Sequence, residues 1–198
     1  IFDMTLGEVA PGGAGSGTYA LLILVVIAVF LTALLLGRSP AYLGKRLGVR
    51  ELKLVSVAIL VMPVLAISAR AVSFAIPPLR AVVVSSMGND GAHGLTEVIY
   101  AFISAAINNG SAFAGLAADN PTMNIMLGVI ILLGRFIPII LVLALAGSLA
   151  AQGKATVVEL PLHRPQFVVL LVSLIVFITV PMFVPLLLAG PFTEGLAG

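Results

Sequence analysis

Residues 94–111 read GLTEVIYAFISAAINNGS: an apolar run of helical character, closed by Asn108-Asn109-Gly110-Ser111 and followed by the small residues Ala112, Ala114 and Gly115. A helix over Gly94–Ala106 falls short of the roughly 20 residues that a bilayer crossing requires. Yet the chain around it is built for lipid. Hydrophobic residues make up 61% of the 198 and charged residues 9%, with a mean hydropathy of +1.23. A water-soluble domain carries about a quarter charged residues, so this chain lacks the polar surface to face water. The stretch is expected to enter a membrane as a half-helix and turn back. Irregular backbone at that depth survives only when it is buried in protein or lines a wet cavity.

Working outward, four longer apolar runs flank the half-helix: Ala20–Leu36, Leu54–Ile76 (interrupted by Pro63), Thr122–Ala151 (with Arg135 and Pro138 near its middle) and Phe167–Leu188 (with Pro181 and Pro185). Proline inside such runs is compatible with membrane helices. The loop Gly37–Lys53 carries Arg38, Lys45, Arg46, Arg50 and Lys53 against Glu51, and Gln152–Gln166 carries Lys154 and Arg164 against Glu159. Both loops fall on one side only if the four runs span and the half-helix does not. The other side then holds Asp3, Glu8, Asp90, Glu97, Asp119 and Glu194, with Arg80. The positive-inside bias places residues 37–53 and 152–166 in the cytoplasm and the C-terminus outside. The expected class is an all-α membrane protein, and residues 54–151 form a membrane–pore–membrane unit of the kind potassium channels repeat four times around one axis.

A potassium ion crosses a membrane once its hydration shell is replaced, and a ring of backbone carbonyls can do that. Gly110 supplies the backbone freedom that such a loop needs. Asn108 and Asn109 can brace it through side-chain bonds to backbone, and Ser111 can do the same or offer its hydroxyl to an ion. The C-terminal end of the half-helix dipole favours a cation at the turn. A plain Asn-Asn-Gly loop remains the alternative reading. Arg135 lies near mid-span, where a charge is costly unless it faces protein or water. Two roles stand for it: a buried ion pair, or a fixed positive charge just inward of the loop that repels a departing cation. Thr96 and Glu97 are expected at the start of the half-helix, where an acid suits the dipole. His93 reads as a surface or capping residue and His163 as structural. Arg70 can reach the outer surface.

Several classes are excluded. With no Cys there is no disulfide framework or thiolate site, and two His argue against a zinc centre. A formal charge of +2 does not suggest nucleic acid. Gly12–Gly17, after Glu8, lacks the Lys of a phosphate-binding loop; a flexible linker and a broken helix close to the pore both fit it. The basic loop either sets topology or docks a cytoplasmic partner. Opening at Ile1 without a basic leader, the chain reads as a piece of a longer protein.

The chain resembles the C-terminal part of the potassium-binding subunit of the Kdp-type potassium-transporting ATPases. The stretches that carry the likeness are Gly7-Glu8-Val9 with Gly12–Tyr19, Gly37–Lys45 (GRSPAYLGK), His93–Ala101 (HGLTEVIYA) and Asn108–Leu116 (NNGSAFAGL), supported by Gly134-Arg135-Phe136 and Leu160–Pro165. The resemblance implies four membrane–pore–membrane repeats with an extra helix at each end. Residues 1–53 would close the third repeat, 54–151 form the fourth, and 152–198 hold a cytoplasmic loop and the last helix. It implies a non-catalytic component of a bacterial or archaeal cytoplasmic membrane complex for high-affinity K+ import, together with small accessory membrane subunits and a separate P-type ATPase subunit. By position, Gly110 matches the filter glycine and Arg135 the arginine near the ion path. Arg38 matches an arginine facing the ATPase subunit, and Glu8 the break in the third repeat's inner helix. K+ would be held by backbone at Asn109 and Gly110. Ile107 departs from the familiar pattern, which has a third Asn there, and Ser73–Asp90 does not align. A Trk- or Ktr-type uptake subunit, which shares the repeat without a dedicated ATPase, is the alternative. One loop makes no fourfold ring, so this piece alone should not transport.

Overall fold

The computed structural model describes residues 17–111, 114–154 and 164–178, together with Met4, Leu162, Phe192 and Gly195. Glu8, the stretch 12–16, His163 and the run beyond Ile178 with Pro181 and Pro185 lie outside the described residues. The described chain forms helices α1 (Gly17–Leu35), α2 (Val49–Ala75), α3 (Pro77–Ser86), α4 (Gly91–Ala106), α5 (Pro121–Ala150) and α6 (Pro165–Ile178), with two-residue strands β1 (Ala41–Tyr42) and β2 (Lys45–Arg46) between α1 and α2.

The first, second and fifth helices are long and apolar enough to cross a bilayer, and no more than 33% of each apolar window is buried within the chain. Large side chains such as Ile125 (67% exposed) and Leu143 (65%) point outward. Water would not tolerate such a surface; lipid or further apolar protein must cover it. Pro63 and Pro138 sit inside unbroken helices, both buried, as protein packing allows.

Local chemistry sets the helix ends. Gly37 (φ +61) closes α1 in a Schellman cap, its N–H bonding Leu34 O (3.0 Å) while Arg38 N–H reaches Ala33 O (2.8 Å). Pro77 opens α3 and Pro121 opens α5, where a missing N–H costs nothing. Asn120 caps α5 by accepting from Met123 N–H at 2.9 Å. The basic loop is more ordered than composition suggests. Leu43 (φ 49) and Gly44 (φ 72) turn a two-residue hairpin pairing Ala41 with Arg46 and Tyr42 with Lys45.

α2 and α5 run antiparallel. Glu51 at the start of α2 accepts from Ser148 Oγ (2.5 Å) and Gln152 Nε2 (3.1 Å) at the far end of α5. Two apolar clusters stack along the pair. One joins Val55 and Leu145 with Ile23, Val26 and Val29 of α1. The other surrounds α4, whose Val98, Ile99, Phe102, Ile103 and Ala106 are buried against Ala66, Met123 and Ile130.

Two expectations about this region are corrected. α4 starts at Gly91, not at Thr96–Glu97, with Asp90 as its N-cap residue. Glu97 is 1% exposed and holds the loop preceding the helix, accepting from Gly88 N–H (2.8 Å) and Asn89 Nδ2 (2.5 Å). A buried carboxylate needs such donors more than a distant dipole. Ser73–Asp90 contains α3.

Candidate functional site

The path from α3 to α5 is a dip and a return. Near the N-terminal end of α5, Ala117 N–H bonds Ser86 O (2.7 Å) and Asn120 Nδ2 bonds Ser86 Oγ (3.0 Å). Gly88 lies so close to Gly115 that a Cβ on it would meet the Gly115 carbonyl oxygen at 2.0 Å. α4 leaves this level and ends beside Gly134, where a Cβ would stand 2.1 Å from Ala106 O. Gly134 is near the midpoint of the 30-residue α5. The chain therefore descends about half the length of α5, turns at 107–110 and climbs back. This is the half-helix geometry expected from residues 94–111.

The turn is a Schellman cap. Asn109 N–H bonds Ser104 O (3.0 Å), Asn108 N–H bonds Ala105 O (3.1 Å), and Asn108 takes the left-handed φ of 59. Asparagine tolerates that conformation better than other side-chained residues. Gly110 follows at φ +77 with open space where a Cβ would lie. Ile107 is fully buried in the α4 cluster, so at this position packing stands in for a polar brace. The Ser104 and Ala105 carbonyls serve the cap and are not free to face an ion. What the helix end offers a cation is its dipole.

Asn108, Asn109, Gly110, Ser111 and Arg135 come together. Arg135 Nε donates to Asn108 Oδ1 at 3.0 Å, and Asn108 Nδ2 reaches Ala106 O at 3.5 Å. Among the described residues the partner of Arg135 is the neutral amide of Asn108. Asn109 Oδ1 accepts from Ser111 N–H at 3.2 Å, an Asx turn that braces the loop as expected. Ser111 faces inward. Its hydroxyl accepts from Tyr100 OH (2.7 Å) and donates to Met4 Sδ (3.2 Å), and its carbonyl accepts from Ser104 Oγ (3.1 Å). That leaves Asn109 and Gly110 as the exposed residues of the turn.

Arg38 is elsewhere. It is exposed just past α1, beside the hairpin that Gln152 anchors by accepting from Arg46 N–H (3.0 Å) and Lys45 Nζ. That end of α5 is about 25 Å from Arg135 along the helix at 1.5 Å per residue. The sequence assigned no role to Tyr100, Ser104 or Gly134. The first two had a signal: hydroxyls spaced i, i+4 on one face of an apolar half-helix require partners.

Residues 1–196 match the family model described as Potassium-transporting ATPase A subunit. In Clavibacter sepedonicus, the protein described as potassium-transporting ATPase potassium-binding subunit is 58% identical over 200 residues, covering 100% of this chain and 36% of its own length. Proteins of the same description from Mycobacterium avium (strain 104) and Cutibacterium acnes are each 50% identical over 198 residues, covering 99% of this chain and 35% and 36% of their own lengths. The chain thus spans about a third of the relatives it matches. These matches give no support to the Trk- or Ktr-type alternative.

Proposed function

The chain belongs to the potassium-transporting ATPase A subunit family, and from that premise we propose that it supplies one quarter of a potassium-selective pathway in an ATP-driven import complex. The observation that carries this reading is the re-entrant turn. Asn108 and Gly110 both adopt positive φ beneath a half-length helix, and Asn109 and Gly110 stay exposed while their neighbours are held. Backbone carbonyls of Asn109 and Gly110 contribute to the ring that replaces potassium's water. Asn108 and Ser111 hold the loop. Arg135, bonded to the Asn108 amide, stands beside it and opposes a cation that moves inward.

Residues 54–151 form the fourth membrane–pore–membrane repeat, residues 1–53 the end of the third, and residues 152–198 the last loop and helix. The other three filter segments and the ATP-hydrolysing chain lie elsewhere in the complex, with small accessory membrane subunits. Residues 37–53 and 152–166 face the cytoplasm of a bacterial or archaeal cell, and the C-terminus is outside. There Arg38, exposed beside the hairpin, is available to the ATP-hydrolysing chain.

Gly110→Ser in the full-length protein, within its complex, tests the assignment. A side chain at φ +77 is strained by roughly 1–2 kcal/mol, so the half-saturating potassium concentration should rise about tenfold and rubidium or sodium should compete better. Uptake kinetics identical to wild type would remove the filter assignment.

A further inference from the structure

We infer that Ser104 and Tyr100 are positioning residues for cation selection, holding both ends of the exposed turn to one face of α4. The inference rests on the proposed filter and names residues which that reading does not use.

Ser104 grips the turn twice. Its backbone carbonyl accepts from Asn109 N–H at 3.0 Å, and its hydroxyl donates to the Ser111 carbonyl at 3.1 Å. The span from Asn109 to Ser111 is therefore closed onto a single helical residue that is 2% exposed. Tyr100, one turn earlier on the same face, donates to Ser111 Oγ at 2.7 Å. The Asx bond from Asn109 fixes the Ser111 N–H. Ser111 is thus held at its nitrogen, its carbonyl and its hydroxyl, and only Asn109 and Gly110 lie between the two grips.

This arrangement has a consequence for which atoms meet the ion. The Ser111 carbonyl is turned toward α4 and its hydroxyl is engaged on that side, so Ser111 serves as an anchor and not as a ligand. The carbonyls left to the pathway are those of the short span whose ends are clamped. A span held this way resists both contracting around a smaller cation and opening around a larger one. Releasing one clamp lowers that resistance, so discrimination falls before folding does. Phe102, Ile103 and Ala106 keep α4 in place by apolar packing that does not involve the hydroxyls.

The test uses the full-length protein in its complex and measures half-saturation by potassium, rubidium and sodium alongside the maximal rate. Ser104→Ala should narrow the potassium-over-rubidium preference by roughly two- to tenfold, the worth of one hydrogen bond, with the maximal rate within about a factor of two. Ser104→Thr, which keeps a hydroxyl, should restore the preference. Should Ser104→Ala fail to accumulate, Tyr100→Phe carries the test, since it keeps the ring and removes one donor. An unchanged preference in Ser104→Ala or Tyr100→Phe, alongside a changed one in Gly110→Ser, overturns this inference alone. If all three leave the preference unchanged, the filter reading falls with it. If Ser104→Thr behaves as Ser104→Ala does, side-chain volume is responsible and the positioning role is lost.

Discussion

Gly134→Ala isolates the contact that sets the depth of the turn. A Cβ at this position would lie 2.1 Å from Ala106 O, 3.0 Å from Ala106 C and 3.0 Å from Asn108 Nδ2. Carbon–oxygen contacts in proteins sit at roughly 3.3 Å or beyond, so α5 and the end of α4 must separate by about 1.2 Å. The obstructing atom is backbone, so no side-chain rotation relieves the clash. Overpacking of this kind costs about 1–3 kcal/mol. The same displacement stretches the Arg135–Asn108 bond, now 3.0 Å, to about 4 Å, beyond hydrogen-bonding range. The full-length variant in its complex should therefore show a lower thermal inactivation midpoint and weaker potassium half-saturation together. The contrast with Gly110 is informative. There a Cβ meets open space, so substitution strains the backbone locally and should spare the inactivation midpoint more than it spares potassium affinity. A Gly134→Ala protein with wild-type midpoint and wild-type affinity would refute the packing of α4 against α5 on which the site depends.

Other substitutions address separate parts of the structure. Asn108→Asp keeps the side-chain shape and neutralises Arg135 by pairing with it; if the arginine charge opposes a cation moving inward, half-saturation by potassium should improve and the maximal uptake rate should rise, whereas an unchanged rate would leave the charge without that role. Arg135→Ala should alter transport or its coupling to ATP more than stability, because Asn108 loses a single donor; a variant that only misfolds would favour a purely structural role, and expression and uptake measured together separate the two. Glu51→Ala strips acceptors from Ser148 Oγ, Gln152 Nε2 and Gly48 N–H and should destabilise by about 2 kcal/mol or more, with Glu51→Gln recovering part of this in a thermal melt. Val49→Cys, at a side chain that is 71% exposed, should react with a membrane-impermeant maleimide only from the cytoplasmic side in an otherwise cysteine-free full-length protein; labelling from outside would invert the topology.

Much of the architecture was legible in composition and spacing. Apolar runs of the right length announced α1, α2 and α5, since a bilayer demands about 20 residues. The short run before Asn108 was recognisable as a half-helix because it falls short of a bilayer crossing and the charge asymmetry argues against a span. The start of α4 was misread, because Glu97 looked like a dipole-complementing acid when its role depends on Gly88 and Asn89 folding back over it. The Ala41–Arg46 hairpin was missed because two-residue strands leave no periodicity.

By itself, the sequence determined which segments leave water and where the backbone must turn sharply: hydrophobic length and the φ preferences of Asn and Gly are local properties of the chain. Tertiary structure alone decided that Asn108 would meet Arg135, that Ser104 would hold both ends of the loop, and that Gly134 would admit Ala106 O to within 2.1 Å of a Cβ position. Those relations join residues on different elements, and their partners are chosen by the register in which α4 packs between α2 and α5, a three-dimensional fit that no local preference encodes.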